Sequence, residues 1–285
     1  MRDEPTAHTR SPAGWLARLE LDIAFDGGAS IVGRNRHQGP LRVQKPLYPE
    51  GAQTVHAIVV HPPGGIRAGD RLEIALKVGP EAHAFLTSPG ATKWYRSDDA
   101  GDCNGAACQS VQLAAGEGAA LEWMPQETIY FNGAHAVQHH IVHLGAGARY
   151  IGCEVMCFGR QASGERFEHG RLRLHSEIWC ASQLLWYEQA RIEAGSEGFN
   201  GPFGLDGATV CATLTAVGSP VPAALQAQVR ALDPALGASQ LKSVFIARLL
   251  CGDSEHARAV MTRVWQLLRP HLIGRPAILP RIWAT

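Results

Sequence analysis

No run of about 20 apolar residues occurs in this chain, so nothing in it reads as a membrane-spanning helix. No positively charged start leads into an apolar stretch of the kind that marks a secretory leader. A soluble, cytoplasmic protein is the expectation. Excess charge of either sign is also missing. The 26 basic residues balance 26 acidic ones, which leaves no overall field to attract nucleic acid or an anionic membrane. The seven cysteines are odd in number and scattered at 103, 108, 153, 157, 180, 211 and 251 with no Cys-x-x-Cys pair. That spacing argues against a disulfide framework and against a zinc ribbon, and most of these thiols are expected as small buried side chains.

The usual catalytic strings are absent as well. There is no Gly-x-Ser-x-Gly elbow, no His-Glu-x-x-His, no Walker loop and no Gly-x-Gly-x-x-Gly between strand and helix. The tetrapeptide GATK at Gly90 to Lys93 has neither the upstream glycine nor the following hydroxyl residue of a phosphate loop. Any nucleotide hydrolysis would have to come from a partner.

What the sequence does hold is a core and many short connections. Apolar residues make up 46% and charged residues 18%, with 31 glycines and 17 prolines punctuating the 285 positions. Residues 1–13 are polar and broken by proline and read as a disordered tail. From 14 to 285 nothing marks a linker, so one large domain is expected. Trp15, Ala17, Leu19, Leu21, Ile23 and Phe25 alternate with Arg18, Glu20 and Asp22, a period of two that fits a strand with one buried face. The pattern returns around Leu72 to Val78 and Leu172 to Cys180. Turn strings such as AAGEGA and LGAGA lie between, as many short antiparallel strands would require. Helical spacing is nearly confined to the C-terminal third. One helix runs through Leu225, Val229 and Leu232 to Asp233-Pro234; a second, capped by Asp253 or Ser254, has Ala257, Val260 or Met261, Val264 and Leu268 as its stripe and stops at Pro270. No solenoid-length repeat is visible.

Three sets of side chains could carry chemistry. His135, His139, His140 and His143 would line a helix face or alternate along a strand; the LGAGA turn favours the strand, with the imidazoles either merely exposed or forming a weak surface metal site at His135, His139 and His143. Cys153 and Cys157 share a strand face with Glu154 turned the other way, and read as core cysteines. Glu154 and Glu188 each interrupt an apolar stretch, so each carboxylate either faces solvent or faces inward, where a cation or water must offset its burial. In the C-terminal block Trp265, Trp283, Arg269, Arg275 and Arg281 sit among prolines. That composition suits partner anchors, with Trp265, Arg269, Arg281 and Trp283 as the candidates; the alternative is a segment docked on its own domain through Trp283 and Ile282.

Five blocks together resemble the urease accessory proteins of the UreD (UreH) family. They are the segment from Gly39 to Asp70 with GPLRVQKPLYPE and HPPGGIRAGD, then TSPGATKWYRS (Thr87 to Ser97), EWMPQETIYFNGA (Glu122 to Ala134), CFGR (Cys157 to Arg160) and VWQLLRPHLIGRPAILPRIW (Val264 to Trp283). The resemblance covers roughly residues 14 to 285. It implies a mostly-β, β-helix-like body of stacked short strands with two helices near the C-terminus. It further implies a non-enzymatic maturation factor, a chaperone in a protein complex, that binds apo-urease, works with the family's F-type accessory protein and G-type GTPase, and passes Ni²⁺ towards the urease active site without holding a cofactor tightly. In such a reading Asp70, Glu154 and Glu188, with Thr92 nearby, line an internal nickel route. Lone carboxylates along hydrated space attract a divalent ion without caging it, as multi-site conduction requires, whereas histidine or cysteine clusters would trap it. The competing reading is a metal-dependent hydrolase using the His135 to His143 region with Glu127 or Glu154 as base.

Overall fold

A computed structural model describes residues 14–97 and 106–284; the expected tail at 1–13 and Cys103 lie outside these. The alternation at the start of the fold becomes β1 (Leu16–Asp26), with Ala17, Leu19, Leu21 and Ile23 buried. The chain continues through β2 (Ala29–Gln38), β3 (Arg42–Val43), β4 (Thr54–Val60), β5 (Arg71–Val78), β6 (His83–Thr87), β7 (Thr92–Trp94) and β8 (Ala107–Ala115). Next come β9 (Ala120–Trp123), β10 (Thr128–Tyr130), β11 (Ala134–Leu144), β12 (Arg149–Phe158), β13 (Gly170–Cys180) and β14 (Gln183–Glu193). A short helix α1 (Glu197–Asn200) leads to β15 (Val210–Val217), α2 (Ala223–Arg230), β16 (Leu236–Leu241), β17 (Val244–Cys251) and α3 (Ser254–Ile273).

The protein is mostly β, a single body of two stacked sheets. One has the order β14-β13-β11-β8-β5-β1-β2 and the other β16-β17-β15-β12-β9-β6-β4-β3, with β7 and β10 forming a short third face beside β12. The body winds as coils that cross from one sheet to the other, so neighbours across coils are parallel: β5 with β8, β8 with β11, β11 with β13, and β4 with β6, β6 with β9, β9 with β12. This corrects the antiparallel expectation, which holds only towards the sheet ends, in β1 with β2, β3 with β4, β13 with β14, and β12 with β15 through β17.

The turn strings explain why coils form. Gly79, Gly116 and Gly145 occupy the same corner of successive coils, and in each the N–H of the residue three on (Ala82, Ala119, Ala148) closes on the glycine carbonyl at 3.2 Å. The N–H groups of Gly116 and Gly145 also reach back to Val78 O and Ala115 O at 2.8 Å, so each corner is pinned to the coil below. The corners pack backbone to backbone: a Cβ on Gly116 would lie 2.8 Å from Pro80 N. Gly116→Ala should therefore cost about 1–3 kcal/mol of overpacking in urea denaturation, while Gly252→Ala, where a Cβ meets nothing within 4 Å, should shift the midpoint little. Equal losses at both positions would contradict a packed corner.

Inside the coils Trp94, Tyr130 and Phe158 are in register on β7, β10 and β12 and stack with centroids 6.0 and 5.9 Å apart. A second core lies on the other side of the β12-bearing sheet, where Cys153, Val155, Cys157, Ala212, Leu214 and Leu249 meet Ala257, Val260, Met261, Val264, Trp265 and Leu268 of α3. Asp253 caps α3 by accepting from His256 N at 2.6 Å. The helix does not stop at Pro270. Leu268, Leu272 and Ile273 are buried on either side of the proline, and that packing carries the helix on to Gly274, whose positive φ of 78° ends it. Among the described residues no helix is long and apolar enough to cross a membrane.

Candidate functional site

A 460 Å³ cavity lies between the facing ends of the two sheets, where β11, β13 and β14 lie opposite β12, β15 and β17. Its position follows from strand periodicity. On β12, Ile151, Cys153, Val155 and Cys157 face α3, so Tyr150, Gly152, Glu154, Met156 and Phe158 face the other sheet. All five line the cavity, and Glu154 is the charged one among them. Its side chain is 50% accessible, because the cavity it lines is partly open to solvent.

Glu188 enters the same cavity from β14, where it pairs with Arg248. Glu154, Thr213 and Arg248 form a cross-strand row on β12, β15 and β17. From the end of that row Arg248 donates through Nε to Thr213 Oγ1 at 2.9 Å and through Nη2 to Glu188 Oε1 on the opposite sheet at 2.6 Å. On the other side of Glu154, His140 Nδ1 approaches Oε1 at 3.5 Å, and His140 Nε2 lies 3.2 Å from the Tyr150 hydroxyl. Burial pushes the Glu154 carboxyl up, yet His140 and then Arg248 outweigh it and hold the pKa below the ordinary glutamate value. Burial drives the neighbouring Tyr130 and Tyr150 phenols well up, with the Glu154 charge adding to it, so they remain neutral donors.

Asp70 and Thr92 lie elsewhere. Asp70 is buried at the entry to β5, where its two carboxylate oxygens accept from Trp15 N and Arg67 N, each at 2.8 Å. It fastens the start of the fold to the glycine-rich loop and does not line the cavity of Glu154 and Glu188. Thr92 lines a separate 180 Å³ cavity with His61 and Lys93. Trp123 borders both cavities and stands between them. Asp70 bears on the smaller cavity only through His61, whose pKa falls because burial outweighs the Asp70 charge that raises it.

The histidine run is a strand, β11, and its odd and even members part company. His135, His139 and His143 point away from the body on the outer face of the first sheet, while His140 points into the cavity. Residues four apart on a strand are separated by about 13 Å, so the three outward imidazoles do not converge. Among the described residues no three His, Cys, Asp or Glu side chains are grouped to hold a metal ion. The hydrolase arrangement is likewise not assembled. Glu154 is on the inner side of the body, and Glu127 is paired with Arg258 of α3 at 3.2 Å. Cys153 and Cys157 are buried against α3, and burial first among the causes pushes both thiols up to about 12.

The C-terminal block is docked on its own chain. Trp265 and Arg269, candidates for partner contact, are fully buried at 0% exposure. Trp283 is half-buried, donates to Thr87 Oγ1 at 2.8 Å and packs on Phe85 and Trp265; Arg281 remains exposed. The acid that this block serves is one sequence reading passed over. Glu122 of β9 is 0% exposed and accepts from Trp265 Nε1 at 2.7 Å, from Arg269 Nε and Nη2 at 3.0 Å each, and contacts His83 Nε2 at 2.8 Å. Arg269 also reaches Glu50 at 2.8 Å, and Glu50 holds His56 at 2.7 Å. Desolvation raises the Glu122 pKa, but His83 and Arg269 together bring it down to about 2. The signal was present: Glu122 interrupts an apolar run just as Glu154 does, and Trp265 and Arg269 are four apart on a helix, hence on one face.

The sequence matches the family model described as UreD urease accessory protein over residues 16–284. It is similar to the urease accessory protein UreD of Janthinobacterium sp. (strain Marseille), 50% identical over 276 residues that cover 94% of this chain and 91% of that protein. The corresponding protein of Nitrosospira multiformis is 47% identical over 94% of this chain and 97% of its own length. That of Dechloromonas aromatica is 45% identical over 99% and 98%.

Proposed function

Because this chain belongs to the UreD family of urease accessory proteins, we propose that it is a non-enzymatic maturation factor that binds apo-urease with the F-type accessory protein and conducts Ni²⁺ from the G-type GTPase towards the nascent dinickel site. The observation that carries this reading is that Glu154 and Glu188, from opposite sheets, line one cavity. A volume of 460 Å³ leaves room for several waters. Two separated carboxylates in such a space compensate a divalent charge without completing an inner-sphere cage, so the ion can enter and leave. Asp70 acts in this scheme by fixing the fold near the smaller cavity, with Thr92 and His61 at that cavity's wall.

Urease matured in cells with the Glu154→Gln chain should carry markedly less nickel while the accessory complex still assembles with apo-urease. Unchanged nickel content would sink the passage. The outward histidines supply a contrast. His135→Gln, His139→Gln and His143→Gln together should leave urease activation intact, because these side chains are outside the cavity, whereas His140→Gln should lower it. Loss of activation in the outward triple with assembly unchanged would move the nickel path to the outer face.

A further inference from the structure

Arg248 lines the cavity with both acids, pairing with Glu188 and acting on Glu154 through its charge. It belongs to the cross-strand row of Glu154, spans to Glu188 of the opposite sheet at 2.6 Å, and is steadied by Thr213 at 2.9 Å. The pair is only partly shielded, with side-chain exposures of 41% and 35%, so it stands where the cavity meets bulk solvent. We propose that Arg248 sets the residence time of the cation: its fixed positive charge occupies Glu188, and it must swing away or share that carboxylate for a divalent ion to pass. This rests on reading the cavity as a nickel passage and adds the device that keeps the passage from becoming a store.

The argument is one of charge. The inward set of Glu154, Glu188 and Arg248 sums to minus one, with Arg191 on the exposed side of β14 at the cavity edge. A divalent ion in that field is attracted by one unit in excess, where the bare acid pair would offer two. Arginine suits the role because it cannot be deprotonated and its planar fork can hold a carboxylate while Nε is held elsewhere. A histidine there would be lost as a counter-charge whenever the ion displaced its proton.

The test is Ni²⁺ itself, measured on the purified full chain by equilibrium dialysis and by release to a chelator. Arg248→Gln should bind Ni²⁺ at least about tenfold more tightly and release it correspondingly more slowly, a change of about 1.4 kcal/mol, while activating urease more slowly. Arg248→Lys should stay near the parent. A second comparison removes the risk that an unpaired Glu188 unfolds the single variant. In the Glu188→Gln background, where the ion pair is already gone, adding Arg248→Gln returns the net charge to minus one and should restore Ni²⁺ binding towards the parent level. The proposal is overturned if neither replacement tightens binding in its background. If Glu154→Gln lowers nickel binding in that outcome, the passage stands without the arginine's role. If Glu154→Gln changes neither binding nor nickel content of matured urease, the passage fails with it.

Discussion

Glu122→Gln is expected to destabilise the protein by about 3–5 kcal/mol, the cost of breaking a buried ion pair by removing one partner. The amide cannot offset the Arg269 guanidinium, and Glu50, already shared with His56, is left as its single carboxylate. The variant should also lose part of its acid sensitivity. The folded-state pKa of Glu122 is about 2 against an ordinary 4.5, so its ionisation favours the folded state above pH 4.5 and that contribution fades as pH falls towards 2. The linked free energy is on the order of 3 kcal/mol. Urea denaturation at pH 7, 4 and 3 would show a flatter profile for the variant. A pH slope identical to the parent would mean that the carboxylate is not ionised in the fold. The double replacement Glu122→Leu with Arg269→Met should lose less stability than the two singles combined, because it removes both charges together.

The second large effect concerns nickel loading. Neutralising Glu154 or Glu188 alone brings the charge of the set formed with Arg248 from minus one to zero, and neutralising both leaves Arg248 unopposed. At an effective dielectric near 20, one unit charge about 5 Å from Ni²⁺ is worth on the order of 7 kcal/mol before hydration. Water in the cavity cancels most of this, yet a residue of about 1.4 kcal/mol per charge is tenfold in occupancy. The double variant repels the ion where the singles merely fail to attract it, so urease matured with it should contain the least nickel. Complex formation should be unchanged, since both side chains are on the inner face and partly accessible. Normal nickel content with the double variant would reduce these carboxylates to ordinary polar residues.

The class of fold could be read from alternation and turns, but its winding could not. AAGEGA and LGAGA are identifiable as turns, whereas a turn string does not say whether the strands it joins pair with each other or stack on the next coil. The glycine corners at 79, 116 and 145 recur at unequal spacing, which hides the repeat. Glu122 and Glu154 show the same limit in the site. Both are acids in apolar runs, and Glu122 is in register with Ile151, one residue out of phase with the face that carries Glu154. That single step sends one carboxylate into a charge network under α3 and the other into the cavity. Nothing local records which face of the sheet will receive the helix. Asp70 closes the string HPPGGIRAGD, and its carboxylate is what fastens that loop to the start of the fold.

The network around Arg269 also sets a schedule for synthesis. Glu122 and Glu50 lie 147 and 219 residues ahead of the arginine that neutralises them, and Thr87 waits 196 residues for Trp283. As the chain emerges from the ribosome, the coils can wind from β4 to β13 with both acids still facing water on the uncovered side of the second sheet. Only when α3 leaves the exit tunnel can that side be sealed. Until then the newborn chain carries an apolar sheet face around two unmatched carboxylates, a surface that holdase chaperones would bind and that would disappear in one step with the arrival of the last helix.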